Sequence, residues 1–481
     1  MAGIAAFDVV VVGGGAAGCV VAARLAESAS RSVLLLEAGP DLRAGLPAGF
    51  RDGWRLPQGF DWGYASEPDG RGVAAGLRRG KLLGGTSWLT RFALRGWPAD
   101  YDEWAGLGNA GWGFADVLPY FRRLEADADF GDRPWHGDAG PVPVSRYLGL
   151  EFTEIGVAGL QALEAAGFPP IDDHNRPGAV GAARMPMSSR DGIRVTTADA
   201  YLPSGDTPAN LTIRPGAQVA GVVLEDTIAT GVRLVDGQVI EAGWVVLCAG
   251  TYGSPPILMR SGIGPAAHLR AHGITVRADL PGVGANLADH AGADIDCGYR
   301  GPTRAAPILH LLVTFHSSAT PSDQAPDLML WLSDPRGDPP VFEIDAGLLR
   351  PRSRGTVRLR SADPADPPRI DLPGLRDPSD APGGSPKPTC AGSRSPPGRR
   401  SGGCAPTRLH PSRPASASYR TWSARTVIRS PTSPEPARWA RARTTARSPI
   451  PPGASTARTG SASSTPRSSP TGPRHSPTSR S

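Results

Sequence analysis

Lysine is nearly absent from this chain of 481 residues, in which Lys81 and Lys387 are the two lysines among 51 basic residues. This bias indicates a GC-rich coding sequence rather than a binding surface. Cysteine is also scarce, and Cys19, Cys248 and Cys297, which precede residue 381, have no metal or redox spacing. No apolar run approaches the roughly 18 residues of a membrane span, and no charged leader precedes the first strand. The sequence therefore predicts a cytoplasmic protein with no membrane span and no metal site.

Acidic residues are nearly absent from the last fifth of the chain. Residues 381–481 hold 17 basic residues and one acid, Glu435, whereas the first 380 residues hold 34 basic and 44 acidic side chains. The formal charge of +6 therefore hides a net negative main region. Such a region does not favour binding to nucleic acid or to a membrane surface, so we expect neither as a partner.

The N-terminal residues show a strand–turn–helix pattern. Val9–Val12 are four consecutive β-branched apolar residues, which predicts a strand buried on both faces. Gly13, Gly15 and Gly18 follow in the spacing G-x-G-x-x-G. The first glycine allows a tight turn, the second lets a pyrophosphate approach the backbone, and the third lets a helix pack on the strand. Residues 22–26 continue as a helix, whose N-terminal amides favour an anion.

A second predicted strand, Val33–Leu36, ends at Glu37. A carboxylate at this place is suited to accept a hydrogen bond from a ribose 2′-hydroxyl. Strands on both sides of the glycines, together with the terminal acid, favour a dinucleotide site over a glycine-rich turn in another kind of α/β protein. The predicted fold class is α/β.

A second glycine-rich loop, RGKLLGGTS, occupies residues 79–87. Gly80, Gly84 and Gly85 would let the chain pass close to a ligand, and Lys81 could face a phosphate. The alternative is an ordinary surface turn. This segment alone does not distinguish the two interpretations.

A third buried strand is predicted at Val245–Leu247. It breaks at Ala249 and Gly250, and a helix is expected to start near Ser254–Pro255, because proline is tolerated at a helix start. A strand that ends in small residues lets a cofactor reach the carboxyl edge of a sheet.

Four segments together resemble the glucose–methanol–choline (GMC) oxidoreductase family and its choline-dehydrogenase-like members. They are Gly80–Ser87, Gly250–Gly264, LPGVGANLADH at Leu280–His290, and Leu348–Leu372. The resemblance covers the chain from residue 7 to about residue 380.

The resemblance also implies a domain organisation. A Rossmann-like FAD-binding domain is expected at 1–290, with insertions that belong to the substrate domain. A substrate domain built on a mostly antiparallel sheet with helices is expected at 291–380. Residues 381–481 are expected to form a low-complexity, disordered tail.

FAD is the cofactor that the resemblance implies. Val219 matches the family position whose backbone contacts the adenine, although by itself it is an ordinary strand residue. The positions at which the resemblance places FAD contacts are Gly13, Gly15, Gly18, Glu37, Lys81, Gly84, Gly85, Thr86, Ser87, Val219, Ala249 and Gly250.

The implied activity is oxidation of a small-molecule alcohol to a carbonyl, with hydride transferred to flavin N5 and electrons passed to oxygen, a quinone or another carrier. The base in such enzymes is a histidine of the C-terminal segment. His290 is expected to be structural, His310 and His316 to lie in a strand near the substrate cavity, and His174 to lie in a loop. One departure from the family is Thr90, where Asn or His is usual.

Residues 381–481 do not have the composition of a folded domain. Seven of these 101 residues are Leu, Ile, Val, Met, Phe, Tyr or Trp, too few to bury a core. The segment is a natural basic tail, a low-complexity linker, or the product of a reading-frame error in a GC-rich gene.

Codon choice favours the reading-frame error. Codons for Ser455–Pro470 can be chosen so that reading one nucleotide earlier gives VHGTDGLRVVDASILP, which resembles a strand-forming segment near the family's C-terminus. Codons for Pro431–Ala440 permit PHLTGTGTMG, and those for residues 381–392 permit a helix, in the same frame and in family order. The sequence therefore predicts a frameshift after about residue 380.

The frameshift predicts that this chain is catalytically inactive, because the codon of the expected histidine is split between Pro431 and Thr432. Two alternatives remain open. One is a non-catalytic flavoprotein with a genuine basic tail, and the other is an NAD(P)-dependent dehydrogenase that uses the same glycine motif.

Overall fold

A computed structural model describes residues 6–46, 59–70, 72–205, 207–301, 303, 309–335 and 340–380. These residues all belong to one compact unit of the chain, Met1–Pro436. The predicted disordered tail and its frameshift, like the second unit, Ala437–Ser481, lie outside the described residues.

The helices are short and are interspersed among the strands. α2 starts with a proline at its first position, and the Asp100 carboxylate accepts the N–H of Trp97, which fixes the start of the helix. Within the described ranges, no helix is both long and apolar enough to cross a membrane. In chain order the helices are α1 Ala16–Ala26, α2 Pro98–Gly106, α3 Phe114–Leu124, α4 Glu154–Ala165, α5 Thr197–Tyr201, α6 Gly250–Arg260 and α7 Ala266–Ala271.

The strands form two large sheets and several two-stranded ladders. In chain order they are β1 Phe7–Val12, β2 Val33–Leu36, β3 Tyr64–Ala65, β4 Gly76–Leu77, β5 Glu125–Asp127, β6 Val142–Val144, β7 Gly181–Arg184, β8 Ser189–Arg190, β9 Ile193–Arg194, β10 Leu211–Arg214, β11 Val219–Glu225, β12 Ile228–Leu234, β13 Val239–Leu247, β14 Ile263–Gly264, β15 Ala278–Asp279, β16 Gly292–Gly298, β17 His310–Phe315, β18 Leu328–Ser333, β19 Val341–Leu348, β20 Thr356–Arg358 and β21 Arg369–Asp371.

The first large sheet has the strand order β10–β2–β1–β13–β12–β11. Its first four strands are parallel, and β12 and β11 are antiparallel additions. Val10 and Val11 at its centre have no exposed surface. Continuous β-branched runs suit such a strand because both of its faces are covered. The Rossmann-like sheet predicted from these runs is confirmed.

β13 has different neighbours along its length. β1 pairs with residues 242–247, whereas β12 pairs with residues 239–241. Among the described strands, none pairs with the other edge of residues 244–247. Trp244 in this half is 65% exposed, and the following Val245–Leu247 are only half-buried. The second half of β13 is therefore an edge, although its sequence is apolar.

The second large sheet is antiparallel throughout, in the order β16–β19–β18–β17–β7. Alternate residues point to opposite faces. Leu311 and Val313 pack with Leu163 of α4 on one face, and Leu312 packs with Trp331 on the other. The predicted antiparallel sheet with helices is confirmed.

The segment after the third predicted strand differs from the expectation. The helix predicted to start near Ser254–Pro255 starts instead at Gly250, and Pro255 and Pro256 lie inside it. Gly250 has a φ of 76°, which only glycine adopts readily, so the chain turns into the helix directly after the strand. The prolines forgo two helical hydrogen bonds and are buried in the interior instead.

The second sheet draws its strands from both predicted domains. β7 lies within residues 1–290, whereas β16 to β19 lie beyond them. This arrangement agrees with an insertion of substrate-domain segments into the first domain. The boundaries at residues 290 and 380 remain predictions.

Candidate functional site

The glycine motif forms the tight turn between β1 and α1. Gly13 has a φ of 100°, and a methyl group on it would lie 2.6 Å from the carbonyl oxygen of Cys248. A methyl group on Gly18 would lie 1.8 Å from the carbonyl oxygen of Gly13. These two positions therefore require glycine because backbone occupies the space of a side chain.

The N-terminus of α1 emerges from this turn. Gly15 is its N-cap and has no side chain that could accept the N–H groups of the first turn. Of the described atoms, only the Gly85 Cα comes within 4 Å of a methyl group built on Gly15, at 4.0 Å. Free N–H groups and the helix dipole make such an end a favourable place for a phosphate.

Glu37 lies at the end of β2, beside the same turn, and is 5% exposed. One carboxylate oxygen accepts the N–H of Gly14 and the other accepts the N–H of Gly39, both at 2.8 Å. Burial raises the pKa of Glu37 to about 7, against the opposing effect of these hydrogen bonds. The N–H of Ala38 also contributes a hydrogen bond to the carboxylate. A carboxylate has about four acceptor sites, so capacity remains for a hydroxyl donor such as that of a ribose.

The second glycine-rich loop packs directly on the first. The N–H of Gly84 donates to the carbonyl of Gly14 at 2.7 Å. Gly85 has a φ of 53°, and a methyl group on it would lie 2.7 Å from the Gly15 Cα. The interpretation of residues 79–87 as a free surface turn is therefore wrong, because two backbones meet here without intervening side chains.

Thr86 and Ser87 follow in a short 3-10 turn, Gly85–Trp88. The Ser87 hydroxyl donates to the carbonyl of Gly84 at 2.5 Å. The Thr86 hydroxyl accepts the N–H of Gly80 at 3.3 Å. Both hydroxyls therefore stabilise the loop through hydrogen bonds to its own backbone.

Lys81 points to an aromatic ring. Its ammonium lies 4.6 Å from the centroid of the Trp62 ring, within the range of a cation–π interaction. Its positive charge also acts to lower the pKa of Glu37. A role toward phosphate would need the side chain to leave the ring.

Ala249 and Gly250 lie at the carboxyl end of β13, next to β1. The N–H of Cys248 donates to the carbonyl of Val12 at 2.7 Å, which holds the ends of the two strands together. A methyl group on Gly13 would lie 2.9 Å from the Ala249 Cα. The ends of β1 and β13 and the N-termini of α1 and α6 thus share one edge of the sheet.

Val219 starts β11 and is 6% exposed, within the apolar core. The preceding residues pair with the end of β2. Ala217 donates to the carbonyl of Glu37 at 2.7 Å, and Gly216 donates to the carbonyl of Gly39 at 2.9 Å. The backbone that leads into Val219 is therefore next to the proposed ribose carboxylate.

A three-ring cluster lies on the face of the antiparallel sheet that α4 leaves uncovered. The Phe92 ring lies 5.7 Å from the His310 ring and 5.6 Å from the Trp331 ring, and these last two are 5.2 Å apart. Phe92 follows the 3-10 turn after a few residues and bridges to Met187. The cofactor-side loop thus leads directly to this aromatic face.

The other three histidines singled out from the sequence contact backbone carbonyls. His174 is buried, donates through Nε2 to Leu312 at 2.9 Å, and has a pKa that burial lowers to about 4. His290 lies 2.9 Å from the carbonyl of Leu348 through Nδ1. The ring of His316, beyond the end of β17, contacts a carbonyl at the exposed margin of the sheet.

The sequence motifs assign no role to the buried carboxyl of Asp289. Its Oδ1 accepts the N–H of His290 at 3.0 Å, and burial raises its pKa to about 7 despite the positive charge of Arg79. The Arg79 guanidinium lies over the Tyr252 ring of α6, 4.7 Å from its centroid. A sequence gives no signal for such burial, because the covering residues come from segments far apart in the chain.

Comparison with protein families gives one clear match. Residues 7–292, more than half of the chain, match the family model described as GMC oxidoreductase. The match includes the glycine turn, the second glycine-rich loop and α6.

Individual proteins agree with this family match. The 5-(hydroxymethyl)furfural oxidase of Methylovorus sp. is 37% identical over 401 residues, which cover 78% of this chain and 75% of that protein. The choline oxidase of Arthrobacter globiformis is 37% identical over 399 residues, which cover 77% and 72%. The crystal structure of a pyridoxine 4-oxidase from "Mesorbium loti" superposes with a TM-score of 0.70 at 31% identity, covering 78% of this chain and 77% of that one.

Proposed function

The chain belongs to the GMC oxidoreductase family, in which its relatives include choline oxidase and choline dehydrogenases, and we propose that its fold serves to oxidise an alcohol CH–OH group to a carbonyl. FAD is the cofactor. The observation that carries the proposal is the meeting of two glycine-rich backbones, Gly13–Gly18 and Gly84–Ser87, at the N-terminus of α1. A short segment of the chain connects this cradle to the aromatic face of the second sheet.

The residues of the cradle fit the ADP part of FAD. Its phosphates are negatively charged, and Gly15 leaves the N–H groups of the first turn of α1 open to them. Its ribose carries hydroxyl donors, and Glu37 keeps acceptor sites beside that turn. We assign the adenine to the backbone around Val219, because the residues before it pair with Glu37 and Gly39.

The remaining positions would flank the cofactor on the side of the second sheet. Gly84 and Gly85 provide a backbone without side chains, and Thr86 and Ser87 hold its shape. Ala249 and Gly250 close the opposite side, at the start of α6. Lys81 would neutralise phosphate charge after leaving Trp62. When bound, FAD supplies the acceptor for the hydride of the alcohol carbon.

Oxidation of an alcohol also requires a base for the hydroxyl proton. His174 is poorly suited to this role, because burial lowers its pKa to about 4 and its Nε2 donates to the carbonyl of Leu312. We infer from the family resemblance that the base is the C-terminal histidine, which the frame of this chain does not encode. The chain in its present reading frame would bind FAD but would not oxidise an alcohol.

The experiment compares two versions of the protein. One is the chain as printed, and the other is the same gene with the reading frame restored after about codon 380. Both are purified with FAD and examined for flavin absorbance, and then mixed anaerobically with choline, 5-(hydroxymethyl)furfural or pyridoxine. We expect flavin in both proteins and alcohol-dependent bleaching in the restored protein alone. Bleaching in the printed chain would contradict the assignment of the base.

The same proteins distinguish the alternatives. Bound NAD(P) and no flavin would favour a nicotinamide-dependent dehydrogenase. Flavin without bleaching in both versions would favour a non-catalytic flavoprotein. Reoxidation of the bleached flavin by oxygen, compared with reoxidation by a quinone, identifies the electron acceptor.

A further inference from the structure

His136 is buried, with 1% of its surface exposed. Its Nδ1 lies 2.6 Å from an oxygen of Glu125 and 3.1 Å from an oxygen of Asp127, and its Nε2 lies 2.9 Å from an oxygen of Asp173. A neutral imidazole has one N–H, whereas an ionised carboxylate only accepts. Carboxylates on both sides of the ring therefore require both nitrogens to carry a proton.

The charges around the ring favour an imidazolium. Arg146, fully buried, binds Asp127 at 2.9 Å and Asp173 at 2.6 Å. Arg95 binds Glu125 at 2.5 Å. Asp129 adds a fourth carboxylate, 3.7 Å from Arg146. The carboxylates thus outnumber the cations even when the ring is charged, and removal of one positive charge would leave a buried carboxylate without its partner, which is costly.

This cluster is connected to the segment between the cofactor loop and the aromatic face. Asp173 accepts the N–H of Asn175 at 2.9 Å. The Asn175 side chain in turn accepts the N–H of Arg95 and donates to the carbonyl of Ala93, each at 2.9 Å. Ala93 directly follows Phe92 of the three-ring cluster. The amide of one asparagine thus fixes the backbone that leads from the cofactor side to that face.

We propose that His136, held as an imidazolium between Glu125, Asp127 and Asp173, is a positioning residue for residues 93–95, and that this segment loosens when the ring loses its proton. The positioning itself does not depend on the proposed function. Its importance for the alcohol site does, because Phe92 and the cofactor loop adjoin the segment.

The protonation of His136 has a definite sign with pH. Burial favours the neutral ring, but hydrogen bonds to Asp173 and Glu125 and the charge of Asp127 outweigh burial and raise the pKa of His136. The pKa of Asp173 lies well below its usual range, because the hydrogen bond from His136 and the charge of Arg146 outweigh burial. The stabilisation is therefore fully present below the ordinary histidine pKa and is lost as pH rises through the raised one.

The first test measures amide exchange by mass spectrometry in the full chain, in the peptide that contains residues 93–95 and in β1. We expect His136→Gln to exchange at least about tenfold faster than wild type in the first peptide, with β1 unchanged. In wild type the same acceleration, corrected for intrinsic rates, should appear as pH rises. His316→Gln is the matched control, because it removes an imidazole that contacts a carbonyl rather than a carboxylate, and it should exchange as wild type does.

The second test uses Asp173→Asn, which keeps the ring and removes one carboxylate. The pH at which residues 93–95 lose protection should fall below the wild-type value, and a merely structural contact would not move this midpoint. If His136→Gln also accelerates amide exchange in β1, the variant is unfolded more widely. The pH midpoint of Asp173→Asn is then the measurement that tests the proposal. An unmoved midpoint, or equal protection of residues 93–95 in wild type and a folded His136→Gln, would overturn the proposal.

A metal site is the alternative interpretation of this cluster, because possible ligand atoms of Glu125, Asp127 and His136 lie within 4.8 Å of one another. Addition of Zn²⁺ or Mn²⁺ should leave the thermal unfolding midpoint unchanged. A rise with metal that His136→Gln abolishes would refute the imidazolium. None of these measurements needs flavin, so a failure of the proposed function would not be mistaken for a failure of the positioning role.

Discussion

β17 of the antiparallel sheet and β13 of the parallel sheet, one strand from each large sheet, differ in how completely they are covered. In the antiparallel sheet, Leu311 and Val313 are 1% and 0% exposed beneath α4. In the parallel sheet, Trp244 of β13 is 65% exposed, although β1 beside it is buried. An apolar edge strand is a site for pairing with further chain. Within the described residues, the second half of β13 in the cofactor sheet is thus open, whereas β17 on the substrate side is covered.

The largest effect is expected from restoring the reading frame. The alternative reading of Ser455–Pro470 contains the apolar, β-branched run LRVVDASIL, which we expect to pair with the open edge at Trp244–Leu247. Amide exchange in β13 should slow, and alcohol oxidation should rise from undetectable, since a positioned base contributes about 10² to 10⁴ in rate. If amide exchange in β13 does not change, the restored C-terminal segment does not pair with this edge.

Gly18→Ala should destabilise the cofactor cradle directly, because its methyl group would lie 1.8 Å from the Gly13 carbonyl oxygen. Backbone must move, which costs about 1–3 kcal/mol or more in the free energy of unfolding and distorts the proposed phosphate site. Gly106→Ala is the matched control, since Gly106 lies in α2 with open space around its Cα. Alanine there should be neutral or stabilise by about 0.5–1 kcal/mol. Flavin retention by Gly18→Ala would contradict the assigned site.

A pair of truncations sharpens the comparison of the two sheets. Leu311→Ala should lower the free energy of unfolding by about 2–5 kcal/mol, because it leaves a cavity under α4. Trp244→Ala should change it by less than about 0.5 kcal/mol in the printed chain, because the side chain is largely exposed. Urea unfolding of both variants measures the difference. An equally large loss for Trp244→Ala would mean that the edge of β13 is covered in solution.

Much of the parallel sheet could be predicted from the sequence, because its signals are local. Val9–Val12 and the glycines that follow specify a strand, a turn and a helix within a few residues, and the structure agrees. The start of α6 was predicted wrongly, because a proline rule for helix starts was applied where Gly250 already turns the chain. The exposure of Trp244 could not be predicted, because it depends on which strand lies beside β13.

The histidines show the same limit for the candidate site. His136 and His174 are both buried, yet the pKa of the first is raised and that of the second is lowered to about 4. The ring of His136 has direct hydrogen bonds to carboxylates, including that of Asp173 from 37 residues away, whereas the ring of His174 is bonded to backbone at Leu312 and Ala183, and there burial outweighs the other effects. The charge of a buried histidine depends on partners that are distant in the sequence, and no sequence spacing predicts them.

The stability of the cofactor cradle should also depend on pH, through Glu37. Burial raises the pKa of Glu37 from 4.5 to about 7. A carboxyl with a raised pKa binds its proton in the folded chain at pH values where the unfolded chain has released it. Its contribution to stability is therefore present below pH 4.5 and is lost as pH rises through about 7, which amounts to roughly 3 kcal/mol.

Glu37→Gln should remove this part of the pH dependence, and the difference between the wild-type and variant urea-unfolding curves isolates it from Asp289, whose pKa is also raised to about 7. Glu225→Gln, at the exposed end of β11, should leave the curve as it is in wild type. Added FAD should reduce the loss in wild type, because ribose hydroxyls donate to the ionised carboxylate and lower its pKa. Were FAD to stabilise wild type and Glu37→Gln equally at pH 8, the ribose would have to be held elsewhere, and the cradle would bind its cofactor through phosphate and backbone contacts alone.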